Sequence, residues 1–203
     1  MARIQCPSVE EIVAVMQGKA YKVFENPSGH DINLVGIRNS TSRANGFDDW
    51  LGLFYWYDGI WNMFAFPGTT DPGTYYRENP LNVRGTAIMK PGQYRRAYRV
   101  GRHKGYKAMQ QVGPITVYRD DNKDAELNTT GTKEDEGLHA VNIHRASRVR
   151  ASTQVDKWSA GCQVMQDPDH FDFFMTLCGR GAEKFGNLFT YTLLESEDFI
   201  KTE

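Results

Sequence analysis

The chain has 203 residues, enough for one domain with a sizeable core. Its 24 basic and 25 acidic side chains leave a formal net charge of −1, which gives no global reason to expect nucleic acid or a membrane surface as partner. No window is apolar for long enough to span a bilayer as a helix, and the start reads without the apolar core of a secretory signal. Three scattered cysteines, Cys6, Cys162 and Cys178, do not make a disulfide framework, so free thiols in a reduced compartment are the simpler expectation.

Ser8 and Glu11 have capping-box spacing ahead of Ile12, Val13, Val15 and Met16, with Gly18 as a stop; the pattern predicts a helix at about 8–18 that covers a sheet. From residue 21 to residue 118 short β-rich runs dominate, notably 33–38, 51–57 and 61–66, and Asp58-Gly59 reads as a tight hairpin. The aromatics between Trp50 and Phe66 fit cross-strand packing better than a carbohydrate surface. Residues 86–89 lead through Lys90-Pro91-Gly92 into a basic run, 94–104, in which Tyr94 and Tyr98 interleave with arginines and Tyr106 follows. Such a run has the ingredients of base stacking beside phosphate contacts, but alternation of Tyr and Arg on one exposed strand face explains it more simply. His103, near the end of the run, either lines a catalytic site, if the strand folds back, or is a hydrogen-bonded structural histidine.

Asp120, Asn122, Asp124 and Glu126 space oxygen atoms as the start of a calcium loop does. Ala125 replaces the glycine of such a loop and Gly131 falls where the bidentate acid belongs, so a solvated acidic loop running through Glu134, Asp135 and Glu136 is preferred. Residues 138–144 alternate like a strand that ends on His144, with Asn142 on the same face, more simply a plain strand residue than one that orients His144, and His139 on the other. Asp167-Pro168 looks like an N-cap and first-turn proline, after which Phe171, Phe174, Met175 and Cys178 share a helical face. His170 begins that helix, and residues 188–194 complete the sheet as a last strand.

The chemistry concentrates between His144 and Cys162. A thiol attacks a carbonyl as thiolate, and an imidazole can take its proton. Gly161 lets the backbone turn sharply before Cys162, and amides in such a turn can bind an oxyanion; Ser159 either holds the turn or contacts substrate.

His144 followed, after a variable loop, by Ser159-Ala160-Gly161-Cys162 resembles the catalytic signature of the L,D-transpeptidase catalytic-domain family. Thr70-Asp71-Pro72-Gly73-Thr74-Tyr75-Tyr76 is similar to the Thr-x-Pro-x-Gly-x-aromatic start of a strand in those domains, one residue shorter between Pro and Gly. The chain departs from the pattern in having Arg145 after the histidine and Gln163-Val164 after the cysteine, where the family has a hydrophobic residue and arginine; Arg145, Arg148 and Arg150 are the alternative sources of a substrate-side charge.

The resemblance implies one mostly β catalytic domain over residues 1–203 with a helix near each end, a catalytic Cys162, His144 and Ser159, oxyanion donors at Gly161 and Cys162, and no cofactor or metal. It implies acyl transfer on a peptidoglycan stem peptide, by transpeptidation or hydrolysis. Without a leader, such an enzyme would be made in the cytoplasm and reach the wall by phage delivery or lysis. The alternative from another class is a noncatalytic virion or wall-binding protein that keeps the fold.

Overall fold

The computed structural model describes residues 4–40 and 45–200. The chain is mostly β: the described residues form eleven strands, three α-helices and a 3-10 turn, Ser196–Phe199. The strands are β1 (Asn33–Arg38), β2 (Asp49–Tyr57), β3 (Ile60–Thr69), β4 (Thr86–Met89), β5 (Gly92–His103), β6 (Tyr106–Gln111), β7 (Ile115–Asp120), β8 (Lys133–Gly137), β9 (Ile143–Arg145), β10 (Gln163–Met165) and β11 (Phe189–Glu195). Eight of them close a barrel in the order β1, β11, β5, β6, β9, β10, β3, β2, while β4, β7 and β8 form a separate three-stranded sheet.

Helix α1 (Val9–Gly18) forms where the capping box predicts it: Ser8 Oγ accepts from the Glu11 amide, and the Glu11 carboxylate accepts from the Ser8 amide. Its buried Ile12, Val13 and Met16 pack on Val35, Ile37, Phe54 and Leu194, so the helix covers strands β1, β2 and β11. The opposite side chains of these strands, Leu34, Leu51, Leu53, Tyr191 and Leu193, point into the main core with Met109, Ile143 and Met165. Strand β1 is therefore buried on both faces. Asp58 and Gly59 take left-handed φ of 52° and 79° and join β2 to β3 as a two-residue hairpin, which is what an Asp-Gly pair favours.

Helix α3 (Pro168–Phe185) also starts as the sequence suggests, with the Asp167 side chain accepting from the Asp169 amide and Pro168 in the first turn. Phe171, Phe174, Met175 and Cys178 join the main core, and His170 stacks on Phe66, 4.9 Å between ring centroids, away from any chemistry. Cys6, Cys162 and Cys178 are free thiols. Among the described residues no helix is long and apolar enough to cross a membrane.

Three local expectations are corrected. Residues 138–142 are irregular and only Ile143–Arg145 is strand, because Ala140 takes a left-handed φ of 57° that no strand accommodates. The acidic stretch 133–137 is a strand: it pairs antiparallel with β7 as an edge, where Lys133 to Gly137 meets Arg119 to Ile115 and charged side chains stay exposed. The run after Thr70 starts a helix, α2 (Thr74–Glu78), with Gly73 as its N-cap, since the Tyr76 and Arg77 amides donate to the Gly73 carbonyl.

Tyr94, Tyr98 and Tyr106 do not form a stacking platform. Tyr98 is fully buried and its hydroxyl donates to the Val141 carbonyl at 2.8 Å, while Arg95, Arg96 and Arg99 lie on the other side of β5 or at its bulged pairing with β11.

Candidate active site

Parallel strands β9 and β10 bring the two chemical residues together. Gln163 pairs with Ile143 and Val164 with His144, and the Gln163 amide donates to the Asn142 carbonyl at 2.9 Å, so Cys162 sits beside Asn142 just before the ladder starts. Cys162 and His144 line the same cleft, of about 530 Å³, between the barrel and the small sheet. Thr86 and Ala87 of β4, Arg119 of β7 and His139 after β8 form its far wall.

The thiol turn is held from behind. Ser159 Oγ donates to the Cys162 carbonyl at 2.7 Å and accepts from the Gly161 amide at 3.2 Å, and the Ser159 carbonyl accepts from the Gly73 amide at 3.0 Å. Gly161 has a φ of 121°, and a Cβ there would meet the Ala87 carbonyl oxygen at 2.5 Å, so only glycine lets β4 approach the turn. A Cβ on Gly73 would meet the Asp156 carbonyl oxygen at 2.0 Å. The two separate sequence runs, Thr70 to Tyr76 and Ser159 to Cys162, are thus packed against one another. Gln163 Nε2 adds a bond to the Thr70 carbonyl at 3.3 Å.

Ser159 is fully buried and does not line the cleft; it acts on Cys162 by fixing the turn rather than by touching substrate. The Gly161 amide, one of the two expected oxyanion donors, is engaged by Ser159 Oγ.

His144 is 3% exposed. Its Nδ1 donates to the Arg145 carbonyl at 2.8 Å; a carbonyl only accepts, so the ring carries its proton on Nδ1 and a lone pair on Nε2. Burial holds this imidazole far below its ordinary range, to about 3, helped by His103 and by the charges of Lys104 and Arg145. Burial likewise pushes the Cys162 thiol up to about 11, against the hydrogen bond of the Asn142 backbone amide and the charge of Lys104. Its Sγ points a weak hydrogen bond at the Ala140 carbonyl, 3.5 Å away. The resting pair is a neutral thiol and a neutral imidazole.

His103 also lines the cleft and stacks on His144, with 4.1 Å between centroids and 6° between planes. Asn142 donates from Nδ2 to His103 Nδ1 at 3.1 Å. His139 lines the opposite wall with both ring nitrogens engaged: Nδ1 accepts from Arg119 at 3.1 Å and Nε2 donates to the Asp135 carbonyl at 3.0 Å.

The positive charge of the cleft comes from residues that the sequence did not single out. Arg84, Lys104, Arg119 and Lys157 line it, and among the described residues no acidic side chain does. Asp135 stands behind Arg119 and Arg84, at 2.8 and 2.9 Å, and Arg119 holds its carboxyl below the usual range. Lys157 lies over the Tyr75 ring at 4.2 Å, and Trp158 beside it is 44% exposed at the rim. By contrast Arg145 stacks on Tyr106, 4.2 Å from its centroid, and Arg148 and Arg150 are exposed in the following loop; none of the three lines the cleft.

The calcium arrangement does not form. Asn122 Nδ2 donates to Asp124, Asp124 accepts from the Glu126 amide and from Asn128 Nδ2, and Asp120 accepts from the Asn128 amide, so the oxygens cap their own loop. Among the described residues no group of three or more His, Cys, Asp and Glu side chains is placed to hold a metal ion.

Comparison with family models, curated proteins and solved structures gives no match for this chain.

Proposed function

We propose that the chain is a cysteine-dependent acyl-transfer enzyme in which Cys162 is the nucleophile and His144 the base, acting on a peptidoglycan stem peptide. The observation that carries this is one cleft holding a thiol, an imidazole with its Nε2 lone pair unengaged by Arg145, and cationic side chains with no acid among the lining residues. Such a cleft suits a peptide bearing a carboxylate near the bond attacked, as a stem peptide with a terminal D-amino acid does.

The neutral resting pair dictates the order of events. The Cys162 S–H proton passes to His144 Nε2 as sulfur bonds to the substrate carbonyl carbon, so thiolate is formed only at the moment of attack. The developing imidazolium is stabilised by the Arg145 carbonyl, and the oxyanion by the Cys162 amide. Collapse breaks the C–N bond, and the leaving amine takes the proton from His144. Water or an acceptor amine then attacks the thioester, again giving its proton to His144, and the released sulfur recovers it. Water makes the enzyme an L,D-carboxypeptidase and an amine makes it an L,D-transpeptidase. The fold then belongs with the L,D-transpeptidase domains, as the His144 and Ser159-x-Gly161-Cys162 pattern suggests.

Mass spectrometry of purified muropeptides incubated with the wild type and with Cys162→Ala tests this. Loss of the terminal D-residue or a new crosslink with the wild type alone supports it, and identical products from both proteins overturn it for that substrate. The raised thiol favours one alternative, a wall-binding protein with an inert cysteine. Binding to sacculi without any muropeptide turnover would establish that alternative.

A further inference from the structure

The stacked pair of imidazoles has a second member for which the mechanism above has no use. His103 closes strand β5, at the hairpin whose turn is Lys104-Gly105, and its ring lies parallel to that of His144. Its protonation state is set by a chain of hydrogen bonds. The Gln111 amide donates to Asn142 Oδ1 at 2.9 Å, and a backbone amide can only donate, so the amide group of Asn142 has its oxygen on Gln111 and its NH2 on His103. His103 Nδ1 therefore carries a lone pair, its proton is on Nε2, and the ring is neutral. The two rings hold opposite tautomers, one imposed by Asn142 and the other by the Arg145 carbonyl.

We propose that His103 is a positioning residue of the thiol site and its acid switch: neutral, it braces His144 for proton transfer from Cys162; protonated, it prevents that transfer. This rests on Cys162 and His144 acting as nucleophile and base. When Cys162 gives up its proton, His144 becomes an imidazolium face to face with His103. A second positive charge at 4.1 Å opposes that step, by on the order of 10²-fold in rate for a partly buried pair. Protonating Nδ1 also turns the Asn142 NH2 contact into donor against donor. No acidic side chain among those lining the cleft offsets the added charge. The groups around the ring are His144 and Arg145 on β9, Tyr106 on β6 with its ring edge-on at 5.8 Å, Lys104 in the turn and Cys162 ahead of β10; the other charged residues lining the cleft are Arg84, Arg119 and Lys157. All the charged ones are cations. Burial and Lys104 accordingly hold His103 below the ordinary imidazole range, so the switch operates on the acid side of neutrality.

The test uses iodoacetamide on the intact protein, with the rate at Cys162 resolved by peptide mass spectrometry across pH, and side-chain NMR of the histidines to read the ionisation of His103 directly. Asn142→Asp keeps the acceptor for the Gln111 amide but puts a carboxylate on His103 Nδ1. It should raise the midpoint of His103 by a unit or more and move the acid limb of labelling upward with it. His103→Phe keeps a stacked ring that cannot charge and should move the limb to lower pH. The double variant should behave as His103→Phe, recovering the rate lost in Asn142→Asp, which a merely structural role would not produce. An unmoved acid limb in Asn142→Asp despite a raised His103 midpoint, or a loss that persists in the double variant, overturns the proposal. If His144→Ala leaves wild-type labelling unchanged, the thiol-site assignment itself fails and this inference falls with it; if His144 matters and the Asn142→Asp shift is absent, only this inference falls.

Discussion

Two buried polar clusters flank the segment from Thr70 to Gly73, and they are built for opposite ends. On one side Asp49, fully buried, accepts from the Asn39 amide at 2.7 Å, the Thr70 amide at 2.6 Å and Thr70 Oγ at 2.8 Å, while Arg38 pairs with Asp71 at 2.8 Å. Every partner of the Asp49 carboxylate comes from the framework, and the cluster ties β1, β2 and the end of β3 together. On the other side His144, also buried, and the partly exposed Cys162 line a cleft. Asp49 is matched by framework donors and ties the fold together, although Arg38 Nη1 beside it has no hydrogen-bond partner; an imidazole held in one tautomer at the wall of a cleft is what proton transfer requires.

Substitutions separate the two clusters most sharply through turnover. Cys162→Ala should abolish it, and His144→Ala should lower it by roughly 10²–10⁴-fold, with thermal melting little changed; measured muropeptide rates decide. The reverse holds across the divide. Thr70→Val removes a donor from the buried Asp49 carboxylate and an acceptor from Arg38 Nε, at a cost of about 1–3 kcal/mol, while the His144 dependence of Cys162 labelling should persist. Gly161→Ala bridges the two effects: strain at φ 121° and contact with the Ala87 carbonyl should cost about 1–3 kcal/mol and misplace the thiol, so both melting temperature and labelling rate should fall.

The smallest effect is in the pH dependence of stability, where the clusters should pull in opposite directions. His144 is depressed in the folded chain to about 3, so between that value and the ordinary imidazole pKa the unfolded chain binds the extra proton and stability falls as the solution is acidified. Burial and the neighbouring Asp71 raise Asp49, so above the ordinary carboxylate pKa the folded chain holds the extra proton and stability falls as pH rises. Urea melts of His144→Gln should lose the first slope and of Asp49→Asn the second. A wild-type slope retained in either variant would assign it to other groups.

The elements that local chemistry dictates were legible in the sequence. Ser8 and Glu11 cap a helix, Asp58-Gly59 turns a hairpin, Asp167-Pro168 starts α3, and Gly161 shapes the turn before the thiol. What long-range pairing decides was not. Arg119 reaches the cleft because β7 pairs with β4 at Ala87, and Lys133–Gly137 is a strand because Asp135 on it meets Arg119 and Arg84. Neither partner is visible in a run of acids with poor strand preference. His103 stands 41 positions before His144, and it reaches that ring only through the pairing of β5 with β6 and of β6 with β9. For Ser159 the sequence left two roles open, holding the turn or contacting substrate, and its burial and its bonds to Gly161 and Cys162 fit the first.

The rate of iodoacetamide labelling at Cys162, resolved from Cys6 and Cys178 by peptide mass and followed across pH in the wild type and in His144→Ala, tests the central claim most directly. The neutral pair predicts a His144-dependent plateau through the middle pH range in the wild type. In His144→Ala the rate should instead climb steadily toward a thiol ionisation near about 11. Superimposable profiles from the two proteins would contradict it.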